Sequence, residues 1–267
     1  MLWSNHHFTG LSMTPKTSTK TASIVIIGNE ILAGHTVDAN IPYLAAQLNG
    51  LGIRLAEVRI VADVQSAIVG AVNECRARYD YVFTTGGIGP THDDITAESV
   101  ADAFGLECIE HPAALARLQS YYAAQNVEFN AARRRMARMP KGAEIIENPV
   151  SSAPGFKIEN VFVMAGVPNI MQAMFKGIEH LLIGGDPILT RAVMCKLPEG
   201  TIADELAAIQ NKYADIDIGS YPSFRSGAFV LKLVLRGSNG AVLDAAACDI
   251  AEMAQKHGDN SAQIEQW

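Results

Sequence analysis

Between residues 21 and 182, short apolar runs alternate with longer stretches of helical periodicity. Residues 23–27 and 81–85 are rich in β-branched and aromatic side chains and end at glycine, which is typical of buried strands. Residues 37–48 and 64–79 place their apolar side chains at helical spacing. Because helices that alternate with strands cover both faces of a parallel sheet, the pattern predicts an α/β fold with a doubly wound, mostly parallel sheet.

The same reasoning extends along the chain. Further strands are predicted at residues 53–61, 144–147 and 161–165, and further helices at 95–104, 112–125, 131–139 and 168–182. After the breaker cluster at 183–187, strands are predicted at 189–197, 216–220 and 228–235, and helices at 201–213 and 241–256. We therefore expect a disordered leader (1–20), an α/β domain (21–183), a small α+β lobe (187–258) and a tail (259–267).

Composition narrows the class of function. The chain has 267 residues, 49% of them hydrophobic, and a formal net charge of −7, which argues against binding to nucleic acid. No apolar run reaches the roughly 18 residues needed to cross a bilayer. Four scattered cysteines, without metal-ligand spacing, indicate free thiols in a reducing compartment. The expectation is a cytoplasmic protein with a small-molecule ligand and no haem, flavin or zinc as a prosthetic group.

The strand at 81–85 leads into a glycine-rich turn and then a helix. Glycines let backbone N–H groups approach an anion closely, and the helix N-terminus favours negative charge. This junction suits the phosphate of a nucleotide or of a pterin. The residues expected to bind it here are Thr85, Gly86, Gly87, Gly89 and Thr91.

Three acidic residues follow this turn. Carboxylates beside a phosphate repel it unless a cation intervenes, so Asp93, Asp94 and Glu98 are interpreted as ligands of Mg²⁺, Mn²⁺ or Co²⁺, with K⁺ as a further cation. The alternative is helix capping, with Thr91 and Asp94 as a capping box and acidic residues favoured by the helix dipole.

Other candidate residues follow other strands. In open α/β sheets, ligands bind beyond the carboxyl ends of the strands. The candidates are Gly28, Asn29 and Glu30 after the first strand, Asp63 after the second, and Gly166 and Pro168 after the strand at 161–165. Asp63 is interpreted as a general base or metal ligand, or only a cap of the next helix. The first loop is alternatively an ordinary connection capped by Thr36 or Asp38.

Two further segments carry polar groups. Ser152 and Gly155 could contact a ligand, although the Pro154-Gly155 pair alone explains a β-turn. The arginines at 133, 134, 135 and 138 could reach phosphates, but a charge run on a helix more often forms a solvated face, and we favour the face.

These motifs resemble the molybdopterin-binding superfamily of molybdenum-cofactor biosynthesis. The resemblance rests on residues 28–34, Asp63, residues 85–96, residues 153–156 and residues 166–168, and it covers most of 21–182. The motif at residues 86–94 is similar to the corresponding motif in the amino-terminal domain of CinA proteins and in the equivalent domain of eukaryotic FAD synthases. Residues 219–222 and the elements after them resemble the small middle lobe of CinA.

The resemblance implies two kinds of chemistry. Gephyrin-type and MogA-type members bind and adenylylate molybdopterin, and their important carboxylates correspond to Asp63 and Asp94. The CinA branch and the FAD-synthase-attached domain are associated with metal-dependent hydrolysis of dinucleotide pyrophosphates such as ADP-ribose or FAD. We favour hydrolysis, with Asp63 and Asp94 as catalytic residues. Adenylylation of molybdopterin, a noncatalytic sensor of pterin or nucleotide, and a partner-docking module remain alternatives. Homo-oligomers are expected by analogy.

Two positions depart from the family pattern. Asn29 stands where an aspartate is common, which puts a ligand role there in doubt. The sequence ends at Trp267 without the carboxy-terminal amidohydrolase domain of full CinA, so deamidation of nicotinamide nucleotides is expected to be absent.

Overall fold

The computed structural model describes residues 19–225 and 228–266. The predicted leader lies outside this part of the chain, apart from its last two residues. The strands are β1 (Lys20–Ile27), β2 (Ile53–Val61), β3 (Tyr81–Thr85), β4 (Cys108–Glu110), β5 (Arg138–Pro140), β6 (Glu144–Ile146), β7 (Gly155–Ile158), β8 (Val161–Met164), β9 (Leu189–Cys195), β10 (Asp217–Arg225), β11 (Ala228–Gly237) and β12 (Gln263–Gln266). The helices are α1 (Asn29–Leu32), α2 (Asn40–Gly50), α3 (Gln65–Arg78), α4 (Thr96–Ala103), α5 (Pro112–Ala124), α6 (Ala131–Arg135), α7 (Pro168–Ile178), α8 (Glu199–Lys212) and α9 (Gly240–Lys256).

The larger sheet has six strands in the order β2-β1-β3-β8-β7-β6. Its first four strands are parallel, and β7 and β6 continue it in antiparallel pairing. The prediction of an α/β fold with a mostly parallel sheet is confirmed. The antiparallel edge was not foreseen, because the Pro154-Gly155 pair was interpreted only as a turn, whereas Gly155 begins a strand.

Both faces of this sheet are buried. On β1, Val25 and Ile27 face one core, and Ile24 and Ile26 face the other. Helices α3, α4 and α5 cover the first face, and α2 and α7 cover the second. A strand buried on both sides is largely apolar on both faces, which is why residues 24–27 lack the alternation of a half-exposed strand; the buried Ser23 is the polar exception.

A second, four-stranded sheet follows in the order β10-β11-β9-β12. All its described pairings are antiparallel, and α8 and α9 pack on it around a separate core that includes Leu233, Leu243 and Ile250. The segment interpreted as a tail contains β12, which pairs with β9. Asp259 holds the segment before β12 next to the end of β9 by accepting a hydrogen bond from the N–H of Lys196 at 2.6 Å.

The structure corrects the helix predicted at 131–139. Asn130 caps α6 by accepting from the N–H of Arg133 at 3.1 Å, and the helix then ends at Arg135. Residues Arg138–Pro140 instead form β5, which pairs with β4 in a small antiparallel sheet. Burial of Ala137 and Met139 in the first core favours this extended path over a longer helix.

The predicted helix at 168–182 is also shorter than expected, because α7 ends at Ile178 and a 3-10 turn (Glu179–Leu181) follows. Within the described ranges, no helix combines the length and the apolar character needed to cross a membrane.

Candidate functional site

Four loops meet at the carboxyl edge of the parallel strands. The N–H of Gly28, after β1, donates to the carbonyl of Val61 at 3.2 Å, and the N–H of Gly86, after β3, donates to the carbonyl of Met164 at 3.2 Å. Asp63, after β2, accepts a hydrogen bond from the N–H of Asn29 at 2.8 Å. Candidates that are distant in the sequence therefore lie along one edge of the sheet, where α/β proteins bind ligands.

Asp63 connects two of these loops. Helix α3 begins at Gln65, and the Asp63 side chain does not cap it but instead bonds to the loop after β1. The capping alternative for Asp63 is therefore not what the structure shows. The hydrogen bond fixes the carboxylate at the sheet edge.

The glycine turn after β3 has no room for side chains. Gly86 has φ of 103°, and a Cβ there would lie 2.1 Å from the carbonyl oxygen of Ile27. Gly87 has φ of 67°, and a Cβ there would lie 2.2 Å from Oγ1 of Thr96. Oγ1 of Thr96 donates to the carbonyl of Gly86 at 2.9 Å, which holds the turn against the start of α4. The turn is thus a half-buried stretch of backbone with glycine at three of its four positions, as an anion site requires.

The Asp94 side chain holds the part of this loop between Gly89 and Asp94 in place. One oxygen, Oδ2, accepts from the N–H of Thr91 at 2.8 Å and from the Thr91 hydroxyl. A Cβ on Gly89 would lie 2.6 Å from that same oxygen. Helix α4 begins only at Thr96, so the bonds between Thr91 and Asp94 shape a loop and are not a helix capping box.

The three predicted metal ligands have different surroundings. The Thr91 side chain and the backbone N–H of Asp93 itself lower the pKa of the Asp93 carboxyl. Glu98 forms ion pairs with Arg135, at 3.4 Å, and with Arg138. Among residues 19–225 and 228–266, no group of three or more His, Cys, Asp or Glu side chains is arranged to hold a metal ion. A metal site built from Asp93, Asp94 and Glu98 therefore stays a prediction.

A cleft opens beside the glycine turn. Its lining consists of Gly87, Ile88, Gly89, Asp94, Ala97, Glu98, Arg135, Met136, Arg138, Pro154 and Phe156. Backbone of the turn, two carboxylates and two guanidinium groups share one small space. We expected the arginine run to be a solvated face. The structure instead divides it, because α6 ends at Arg135 and the chain turns into β5.

The other predicted contacts have varied surroundings. Thr85 is buried, and its hydroxyl has no hydrogen-bond partner within the part of the chain that the structure describes. Glu30 is exposed and its carboxylate lies over Gly28, where a Cβ would approach Oε1 to 2.6 Å. Pro168 is the first residue of α7 and is exposed. Gly166 lies against the turn, since a Cβ there would be 3.2 Å from Cα of Gly86.

The segment before β7 reaches the cleft through Pro154 and Phe156. Ser152 has φ of 61°, and its N–H donates to the carbonyl of Asn148 at 3.1 Å. A Cβ on Gly155 would lie 2.2 Å from the carbonyl oxygen of Val163, so close packing in the sheet already requires glycine there.

Asn40 was not singled out from the sequence, although it lies in the polar loop after β1. It is 2% exposed, and its Nδ2 donates to the carbonyl of Gly166 at 2.8 Å. The bond connects α2 to the loop after β8. A polar residue at the first position of a helix is common, so sequence alone gave no reason to select it.

Comparison with known proteins shows to which family this chain belongs. Residues 23–183 match the family model described as a probable molybdopterin binding domain. The chain belongs to this molybdopterin-binding domain family. Residues 187–261 match a second model, described as the middle domain of FAD synthase. The resemblance inferred from the loop motifs is confirmed.

Three relatives of this molybdopterin-binding domain protein illustrate the range of the family. A protein of Pyrobaculum calidifontis is 34% identical over 259 residues, covering 91% of this chain and 98% of its own. A probable FAD synthase of Caenorhabditis elegans is 30% identical, covering 89% of this chain and 50% of its own. The solved structure of CinA from Thermoplasma acidophilum, described as having unknown function, is 32% identical with a TM-score of 0.56, covering 61% of this chain and 97% of that one.

Proposed function

We propose that this protein is a metal-dependent nucleotide pyrophosphatase that acts on ADP-ribose or FAD-type dinucleotides. The observation that carries the proposal is the cleft in which bare backbone at Gly87 and Gly89 lies beside the Asp94 carboxylate and two arginines. The likeness to a probable FAD synthase supports a dinucleotide ligand.

The residues present suit a diphosphate. The glycine turn presents backbone without side chains because Ile27, Thr96 and Asp94 leave no space for a Cβ, and the buried Thr85 hydroxyl lacks a partner within the described ranges. Backbone N–H groups and guanidinium groups are the donors that phosphate oxygens favour.

The residues also suit a metal that is held partly by the substrate. Mg²⁺ commonly binds through one or two carboxylates, with substrate phosphates and water as its remaining ligands. Asp93 and Asp94 would supply the protein oxygens. When bound, the metal would neutralise charge on the phosphoryl oxygens.

In the proposed reaction, water attacks one phosphorus atom of the anhydride and the bridging P–O bond breaks, leaving two phosphate esters. Asp63 accepts a proton from the water. Its hydrogen bond from the N–H of Asn29 keeps the carboxylate oriented for this role. The glycine turn and the arginines stabilise charge that develops on the phosphoryl oxygens.

Molybdopterin binding followed by adenylylation is a second candidate, favoured by the description of the family model that matches residues 23–183. It would use the same turn for the pterin phosphate. A panel of ADP-ribose, FAD, NAD and molybdopterin, each with and without divalent cation and K⁺, separates the two by product. Hydrolysis yields AMP without ATP, whereas adenylylation consumes ATP.

The direct test of the hydrolase assignment is Asp94→Asn. Asparagine keeps an oxygen that can accept from Thr91, so the thermal unfolding midpoint should change little. Metal-dependent turnover should fall roughly 100-fold, equal to about 3 kcal/mol of transition-state stabilisation. The matched control is Asp102→Asn on α4, the helix that follows the Asp94 loop. Among the hydrogen bonds described for it, the Asp102 carboxylate accepts only from Gln65, at 3.1 Å. Full hydrolysis by Asp94→Asn would refute the assignment.

A further inference from the structure

Two arginines and one glutamate form a charged group at the cleft. Arg135 is the last residue of α6, Arg138 is the first of β5, and Glu98 lies in the first turn of α4. One oxygen of Glu98, Oε1, contacts Nη2 of Arg135 at 3.4 Å and Nη1 of Arg138. Nη2 of Arg135 also donates to the carbonyl of Asp94 at 3.4 Å. The group is thus attached directly to the loop that carries the predicted metal ligands.

The charges in this group do not cancel. Two guanidinium groups face one carboxylate, and each of the three side chains keeps about a quarter to a third of its surface exposed: 34% for Arg135, 33% for Arg138 and 26% for Glu98. All three line the cleft with Gly87 and Gly89. Within the group one unit of positive charge remains, and the Asp94 carboxylate, which also lines the cleft, balances it.

The neighbouring arginines have other partners. Arg134 makes two hydrogen bonds with Glu110, both at 2.6 Å. Arg133 lies over the Tyr122 ring, 4.8 Å from its centroid. Neither lines the cleft. The arginines of this run therefore differ in their partners, and Arg134 is a matched control for Arg135.

We propose that Arg135 and Arg138 bind the diphosphate of the ligand, and that Glu98 positions these two guanidinium groups instead of ligating a metal. The inference rests on the proposed function, because it names the residues that would recognise the substrate's diphosphate. Guanidinium groups bind phosphate through paired, charge-assisted hydrogen bonds. Glu98 offers the arginines a carboxylate while the cleft holds no anion, and a diphosphate competes with it.

The competition predicts opposite effects for the two kinds of substitution. Arg135→Gln and Arg138→Gln should each weaken binding of ADP and of inorganic pyrophosphate about tenfold, the loss expected for a charged hydrogen bond. Glu98→Gln should tighten it about fivefold, because one negative charge near the anion is removed. If Glu98 is a metal ligand, Glu98→Gln leaves metal-free binding unchanged and lowers only metal-dependent activity.

The experiment is calorimetric titration of the full chain with ADP and with pyrophosphate, in the presence of EDTA. Wild type, Arg135→Gln, Arg138→Gln and Glu98→Gln are compared with Arg134→Gln, which should bind like wild type. Thermal unfolding of each variant is measured first. Arg135→Lys and Arg138→Lys, which retain the charge facing Glu98, replace Arg135→Gln or Arg138→Gln if either fails to fold, and they should weaken binding less.

Hydrolysis of ADP-ribose and FAD with metal is measured on the same variants, so that the two proposals fail separately. Arginine-dependent binding of pyrophosphate without hydrolysis would overturn the proposed function and leave this inference standing. Hydrolysis that is unaffected by both arginine substitutions would overturn this inference and leave the function. Absence of anion binding by wild type, or weaker binding by Glu98→Gln, would also overturn the inference.

Discussion

Gly86 shows how a single residue limits what the site can be. Its φ of 103° lies in a region that L side chains rarely adopt, and a Cβ would lie 2.1 Å from the carbonyl oxygen of Ile27 at the end of β1. The atoms that this Cβ would meet all belong to the Ile27 backbone, so they cannot rotate away as a side chain could. The absence of a side chain brings β1 and the glycine turn into contact, and that contact places the turn at the sheet edge.

The expected consequence is a large loss of stability in Gly86→Ala. The alanine Cβ would clash with Ile27, and a φ of 103° is unfavourable for alanine, so the free energy of unfolding should fall by about 3 kcal/mol. Gly105→Ala is the control, because Gly105 also has positive φ, at 64°, but a Cβ there meets nothing within 4 Å. It should lose only about 1 kcal/mol. Urea unfolding measures both, and equal losses would contradict the role assigned to the clash.

At the scale of elements, Asp80 joins the start of β1 to the turn before β3. It accepts from Nζ of Lys20 at 2.7 Å, from the N–H of Thr21 at 2.9 Å and from the Thr21 hydroxyl at 3.0 Å. The Lys20 ammonium, together with the Thr21 N–H, holds the pKa of the Asp80 carboxyl below its usual range. These bonds help to fix the register between two central strands.

The sign of the resulting pH dependence follows from that lowered pKa. The Asp80 carboxylate stabilises the fold above the unfolded-state pKa of about 3.9, and this contribution is lost as the pH falls through the lower folded-state pKa. Asp80→Asn should therefore cost about 1 kcal/mol at pH 7, a modest value because the ion pair is partly solvated. Urea unfolding at several pH values should show this difference shrinking below about pH 4. A difference that persists unchanged at pH 3 would contradict the assignment.

At the scale of the whole molecule, the connection between the two sheets is anchored to the last turn of α2 and to the residue that follows it. The N–H of Gly185 donates to the carbonyl of Leu51 at 3.0 Å, and the N–H of Ile188 donates to the carbonyl of Asn49 at 2.9 Å. A Cβ on Gly184 would lie 1.7 Å from the Leu51 oxygen. The breaker cluster is therefore a docked segment of backbone and not a free linker.

Substitution of Gly184 should release this segment. Gly184→Ala cannot keep the approach to Leu51, so limited proteolysis should cleave within residues 183–188 at least several times faster than in wild type, since cleavage follows local opening. Gly177→Ala is the control, because a Cβ there meets nothing within 4 Å and alanine favours the helix. It should not increase cleavage in this segment. Unchanged cleavage of Gly184→Ala would contradict the anchoring.

Local patterns in the sequence were sufficient to predict the α/β fold, the glycine turn and the family. Burial on both faces imposes an apolar run on β1 and the pair Val82 and Phe83 on β3, and positive φ imposes glycine at 86 and 87. Both requirements are visible without knowledge of the partners. The antiparallel edge at β7 and β6 was less visible, because three- and four-residue strands differ little from turns in their local composition.

Tertiary structure decided which charged groups meet. Asp63 bonds to Asn29, 34 residues away, and Glu98 pairs with arginines 37 and 40 residues away. Nothing in the local sequence distinguishes Arg135 from Arg134, since the end of α6 and the pairing of β5 with β4 set their directions. The sequence determined most of the helices and the longer strands, because local backbone preference and burial act on neighbouring residues. Only the folded chain determined the partners of each charge, because a charge interacts with whatever the chain brings close to it.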